Sequence, residues 1–166
     1  MSTTIEPRLL SIYLNDHVTG ATAGLQRVQR MASAYDRPSL AAALSRFEQE
    51  FTEERQWLVR TAVSLGVTRN KPKALLASVA ETVGRLKLNG RAVEQSPLSP
   101  LLELEILRGA VLGKLSGWQT LEAHAAGLGL SPEQVEHLHH LQRQAVAQKD
   151  TISALLEEIR PEAFSS

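Results

Sequence analysis

Apolar residues recur every three or four positions along almost all of this 166-residue chain, a period that excludes most folds before any single residue is considered. The first stripe reads Leu10, Leu14, Val18, Ala21, Leu25 and Val28. It begins near Pro7, a residue suited to an early helical position, and closes around Tyr35, Asp36, Arg37 and Pro38. A second stripe starts near Ser39 and carries Leu40, Leu44, Phe47, Phe51, Leu58, Ala62 and Leu65. Gly66 then marks a helix C-terminus. Each stripe predicts a helix of roughly 40 Å.

The second half repeats the pattern. A shorter helix is expected from Pro72 to Leu88, closed by Asn89 and Gly90, and a loop from Ser96 to Pro100 leads on. Leu104, Leu107, Val111, Leu115, Trp118 and Ala125 share the third long face, which Gly127 and Gly129 stop. Ser131-Pro132-Glu133-Gln134 is a capping box with proline in the first turn. The helix it opens carries Val135, Leu138, Ala145, Ile152, Leu156 and Ile159, ending before Pro161. No segment alternates with period two, so the expected class is all-α, with residues 1–166 as one domain. Tight turns make helices one and two, and three and four, antiparallel hairpins. About 33 residues separate the hairpins. That is long enough to cross a four-helix bundle.

Composition narrows the chemistry. Zero Cys removes disulfide scaffolds, thiolate metal sites and a Cys nucleophile. No run of 18 uncharged apolar residues offers a membrane span. The N-terminal sequence lacks the basic start and apolar core of a signal peptide, so a cytoplasmic protein is expected. No Gly-rich phosphate loop, Gly-x-Ser-x-Gly elbow or His-Glu-x-x-His pair occurs. The Gly20–Gly24 stretch sits inside a helix, where small residues let a neighbouring helix approach.

Three stretches carry a family resemblance: Tyr13 to His17 with the following Gly20 to Gly24, Gly84 to Gly90, and Ser99 to Glu105. Through them the chain resembles the ferritin-like four-helix superfamily, in particular a group of small bacterial ferritin-like proteins. The resemblance implies a ferritin-like four-helix bundle with a short extra helix in the crossover between helices two and three. It implies no established activity.

Ferritin-like enzymes place one Glu on each of two helices and a Glu-x-x-His pair on each of the other two, all facing inward. Glu136 and His139 have that spacing. On a helical wheel centred on the apolar stripe they lie at about 160° and 100°, pointing away from the core. Helix two offers Glu48, Glu50, Glu53 and Glu54 without a His, since Trp57 stands three residues after Glu54. Glu103 and Glu105 flank the third stripe on opposite sides. The sequence therefore predicts no dinuclear site, no catalytic residue and no cofactor, with iron or manganese as the alternative. The His137, His139 and His140 cluster reads as a solvated surface whose imidazoles titrate near neutrality. Its candidate ligand pairs are His137 with His140, Glu133 with His137, and Glu136 with His140.

Some polar residues do fall on apolar stripes: Glu54, Gln142, Lys149 and, near an edge, Arg108. A buried charge needs a partner. With a ferritin-type crossover, His17, Glu54 and Gln142 stand at about 15, 18 and 16 Å along the bundle and can form one layer. With simple up-down topology, Arg108 and Lys149 join Glu54 instead. Finally, Arg69, Lys71, Lys73, Arg85, Lys87 and Arg91 face only Glu81 in their segment. Such cations could displace phosphate counterions. The segment has no aromatic for base stacking, and it can equally pair with the acidic surface between Glu48 and Glu54. The leading expectation is a metal-free ferritin-like structural or protein-interaction module, not an enzyme, and a homo-oligomer with the dimer first. A dinuclear iron or manganese oxidoreductase is the alternative, and a nucleic-acid-associated bundle stands third.

Overall fold

The computed structural model describes residues 5–68, 96 and 98–165. Every regular element within them is helical. In chain order these are α1 (Pro7–Ala34), α2 (Pro38–Ser64), α3 (Leu98–Ala123), the one-turn α4 (Ala125–Leu128) and α5 (Pro132–Ile159), with a 3-10 turn at Arg160–Glu162. The short helix expected over Pro72–Leu88 and the basic stretch Arg69–Arg91 lie outside the described residues. No described helix is long and apolar enough to cross a membrane.

The ends of these helices follow from local chemistry. The Glu6 carboxylate accepts hydrogen bonds from the Arg8 and Leu9 amides at 3.0 and 2.8 Å and caps α1, with Pro7 in the first turn. Gly66 takes a left-handed φ of 75° beyond α2. Its own amide then reaches Val63 O, and the next amide, that of Val67, reaches Ala62 O. This paired closure satisfies the last carbonyls and favours glycine at the turn. Gly129 (φ 68°) repeats it after α4. The expected capping box is present: Gln134 N donates to Ser131 Oγ at 3.2 Å, and Ser131 N donates to Gln134 Oε1 at 2.8 Å. One boundary differs. Helix α3 ends at Ala123 rather than Ala125, because His124 departs from helical geometry at φ −105°, ψ 7°.

The two hairpins, α1 with α2 and α3 with α5, pack most extensively, and thinner seams join α1 to α3 and α2 to α5. Side-chain pairs fix the directions. Arg30 on α1 meets Glu103 early in α3 at 2.8 Å, while His17 lies against Gly117 near the other end, so α1 and α3 are antiparallel. Ser39 bonds Glu158 at 2.9 Å and Gln144 bonds Glu54 at 2.9 Å, so α2 and α5 are antiparallel. Helices α2 and α3 therefore run the same way, and Thr68 and Ser96 lie at opposite ends of the helices.

The core positions step by three and four rather than by a uniform 3.6. On α5 the line runs Leu138, Leu141, Ala145, Gln148, Ile152, Leu155 and Ile159, with Leu156 buried beside it; on α2 it runs Phe47, Phe51, Glu54, Leu58 and Thr61, with Leu40, Ala43, Leu44 and Ala62 also buried. On α3, Leu104, Leu107, Val111, Trp118 and Leu121 leave one step between 111 and 118, and Lys114 occupies it. This is the seven-residue spacing of helices that cross at shallow angles. Leu104 is fully buried, so Leu104→Ala should cost about 2–5 kcal/mol. Loss of the Ser131 cap in Ser131→Ala should cost about 1 kcal/mol. Urea unfolding checks both, with the denaturant slope unchanged in each variant.

Candidate functional site

Polar residues at core positions of α2, α3 and α5 meet in one layer. Glu54 and Gln148 are 3% and 1% exposed. Glu54 Oε2 receives Lys114 Nζ at 2.5 Å, and Oε1 receives Gln148 Nε2 at 2.8 Å and Gln144 Nε2 at 2.9 Å. Lys114 also donates to Gln148 Oε1 at 2.6 Å, and Gln148 Nε2 donates to Glu50 Oε2 at 2.8 Å. The ammonium lies 3.7 Å from the centroid of the Phe51 ring, whose negative π-face supplies a third partner. The Gln148 amide has only one workable orientation here, oxygen toward Lys114 and nitrogen toward the carboxylates. Burial pulls Lys114 down from the ordinary lysine value, and the charges of Glu54 and Glu50 with the Glu54 hydrogen bond oppose it.

Of the expected trio Glu54, His17 and Gln142, the structure brings only Glu54 into this layer. Gln142 instead donates to Glu122 Oε2 at 2.5 Å. The up-down alternative fails as well: Arg108 donates to Ser153 Oγ at 3.1 Å, and Lys149 lies 2.6 Å from Asp150. The error is one residue of phase. Gln142 and Lys149 follow Leu138 and Ala145 by four, whereas the buried residues of α5 follow them by three, at Leu141 and Gln148. One residue is about 100° of helix, enough to exchange core for surface. Gln148 was missed for this reason. The 104, 107, 111, 118, 121 spacing on α3 contained the signal for Lys114.

His17 faces the α1–α3 seam. Its ring centroid lies 4.5 Å from that of Tyr13. A Cβ on Gly117 would stand 2.7 Å from His17 Cε1, so any larger residue on α3 would push the ring out of this seat. Burial pushes the imidazole below its ordinary value, with Asp16 opposing, which favours the neutral ring. The close packing expected at Gly20 is absent. A Cβ at Gly20, or at Gly113 across the seam, would meet nothing within 4 Å among the described residues. Both glycines are inside helices, where each costs about 1 kcal/mol relative to alanine. Between them opens a cavity of about 260 Å³, walled by α1 and α3 and floored by Phe51, Glu54 and Leu58 of α2.

The histidine cluster on α5 is less solvated than expected. His137 packs on Trp57, with centroids 5.1 Å apart, and Trp57 meets Trp118 edge-on at 5.7 Å. Burial first, then His140 and Arg60, hold His137 below its ordinary value. His140 is its ring neighbour at 5.8 Å. Glu136 is exposed as expected, but His139 turns back to α3, with Nε2 2.6 Å from Glu122 Oε1. Among the described residues, no group of three or more His, Asp or Glu gathers as a metal site. In the core, Lys114 holds the position beside Glu54 that a dinuclear centre would give to a metal ion. The residues present there do not fit such a pair. No protein-family model matches the chain, and neither a curated protein nor a solved structure matches it.

The layer generates a double-mutant test. Glu54→Leu strands a buried ammonium and Lys114→Met strands a buried carboxylate, so each should cost about 3–5 kcal/mol. The combined variant should lose less than either single change, because an apolar pair restores packing. Equal and additive losses in denaturant unfolding would show that the two charges are not paired.

The Glu122–His139 contact sets a pH dependence. Hydrogen bonds first to Glu122 and then to Glu136 raise the His139 imidazole above its ordinary 6.5. Glu122 is held below the usual carboxylate range by Gln142 and then His139, so it stays ionised across this window. A raised imidazole stabilises the fold fully below pH 6.5 and ceases to do so as pH rises through its folded-state value. The stability gap between wild type and His139→Gln should therefore be wider at pH 6 than at pH 8, measured by urea unfolding. Equal gaps would show that the ion pair does not form.

Proposed function

We propose that the protein is a ferritin-like four-helix bundle that works without a metal centre, as a structural or protein-interaction module. The single observation that carries this reading is the Glu54–Lys114 contact. A fixed ammonium and two glutamine amides already satisfy the one carboxylate that the described core buries. A divalent ion at Glu54 would have to displace Lys114 and leave its charge buried beside the metal. The parallel α2 and α3 support the ferritin-like topology, since a long crossover is what that arrangement requires.

A homodimer is the simplest assembly in this reading. Exposed apolar side chains support an interaction surface. Leu9 and Ile12 at the head of α1 and Val63 at the tail of α2 are 65%, 51% and 59% exposed at the same end of the helices.

Protein purified without a histidine tag should contain no stoichiometric iron or manganese by elemental analysis. Titration with either ion should give no binding that Glu54→Gln removes. Near-stoichiometric metal lost in Glu54→Gln would overturn this reading in favour of a dinuclear oxidoreductase. Sedimentation should give a dimer, and Ile12→Glu should shift it toward monomer.

A further inference from the structure

We propose that the cavity between α1 and α3 is a binding site for a small neutral phenol, an aromatic ring carrying one hydroxyl. Its volume is about 260 Å³. An apolar cavity of roughly 150 Å³ already admits benzene, so a substituted single ring fits this one. The wall residues Tyr13, Phe51, Trp118 and Leu121 supply aromatic and aliphatic surface, the lining that ring compounds require.

The two buried charges on the wall select against ions. Glu54 is occupied by three donors, and Lys114 by two acceptors and the Phe51 face. At this buried end a charged guest finds no free counter-charge. Asp16 and Arg55, of opposite charge, also line the cavity, and Arg55 Nε donates to Thr22 Oγ1 at 2.8 Å. The half-buried His17 favours its neutral form, which holds one donor and one acceptor. A hydroxyl both donates and accepts, so it complements the His17 ring where a hydrocarbon does not. Gly20 and Gly113 give the site its opening, since a side chain on either would grow into unoccupied space.

Phenol binding goes beyond the interaction-module reading but shares its premise that Glu54 and Lys114 neutralise each other. Elemental analysis tests that premise separately from ligand binding. Calorimetric titration of the full chain with 4-methylphenol should show saturable binding of one molecule per chain. The 4-methylbenzoate anion, of similar shape, should bind at least tenfold more weakly. Gly113→Leu, and independently Gly20→Leu, should fold with an unchanged or higher melting temperature and weaken 4-methylphenol at least tenfold. Failure of 4-methylphenol to saturate overturns the proposal, as does 4-methylbenzoate binding as tightly, or phenol binding that survives both leucines. Loss of folding in both leucine variants also overturns it, because the cleft would then be filled by the chain itself.

Discussion

A carboxylate and an ammonium share the interior of this protein, and neither could be there alone. Removing either Glu54 or Lys114 leaves a naked charge in the core, whereas the two together, with Gln144 and Gln148, satisfy one another almost completely. The contact also selects the alignment of three helices. Sliding α5 by one seven-residue step would set Leu141 or Leu155 in place of Gln148, taking one acceptor from Lys114 and one donor from Glu54. Apolar layers above and below tolerate such a slide, so the charged layer is what discriminates against it.

The two seams of the fold are built differently. On the α2–α5 side, long polar side chains reach across and tie Glu54 and Glu50 to Gln144 and Gln148. On the α1–α3 side, the facing residues near the layer are small: Gly20, Ala21 and Gly24 against Ala110, Gly113 and Gly117. Small residues usually draw helices together. Here only Gly117 is used that way, with the His17 ring pressed on it, while Gly20 and Gly113 border open space. His17 spans the seam there, and the cavity adjoins it.

Much of this was legible in the sequence. The apolar periods located all four long helices, and proline, glycine and the Ser131 box located most of their ends. Burial of Glu54 followed from its place one turn after Phe51 and one turn before Leu58. The partners did not follow, for two reasons. A wheel turned at 100° per residue drifts against a seven-residue repeat, so Gln142 and Lys149 were placed where Gln148 belongs. Lys114 escaped notice because lysine on a helix of leucines reads as an edge residue, although it filled the one gap in its stripe. The inward turn of His139 depends on Glu122, seventeen residues away on another helix, and no local pattern encodes that pairing.

The chain holds two tryptophans, and both stand at one place. Trp57 from α2 and Trp118 from α3 meet edge-on, and His137 from α5 covers the outer one. The indole absorption and emission of the whole molecule thus originate at the junction of three helices, one turn from Glu54 along α2 and from Lys114 along α3. Ultraviolet light excites the tryptophans nowhere else. A separation of α3 from α2 alters the only indole–indole coupling in the protein, whereas fraying at the turn near Arg37 leaves it untouched. The fold thus carries an internal optical gauge of one level of the bundle, blind to the turn at Arg37.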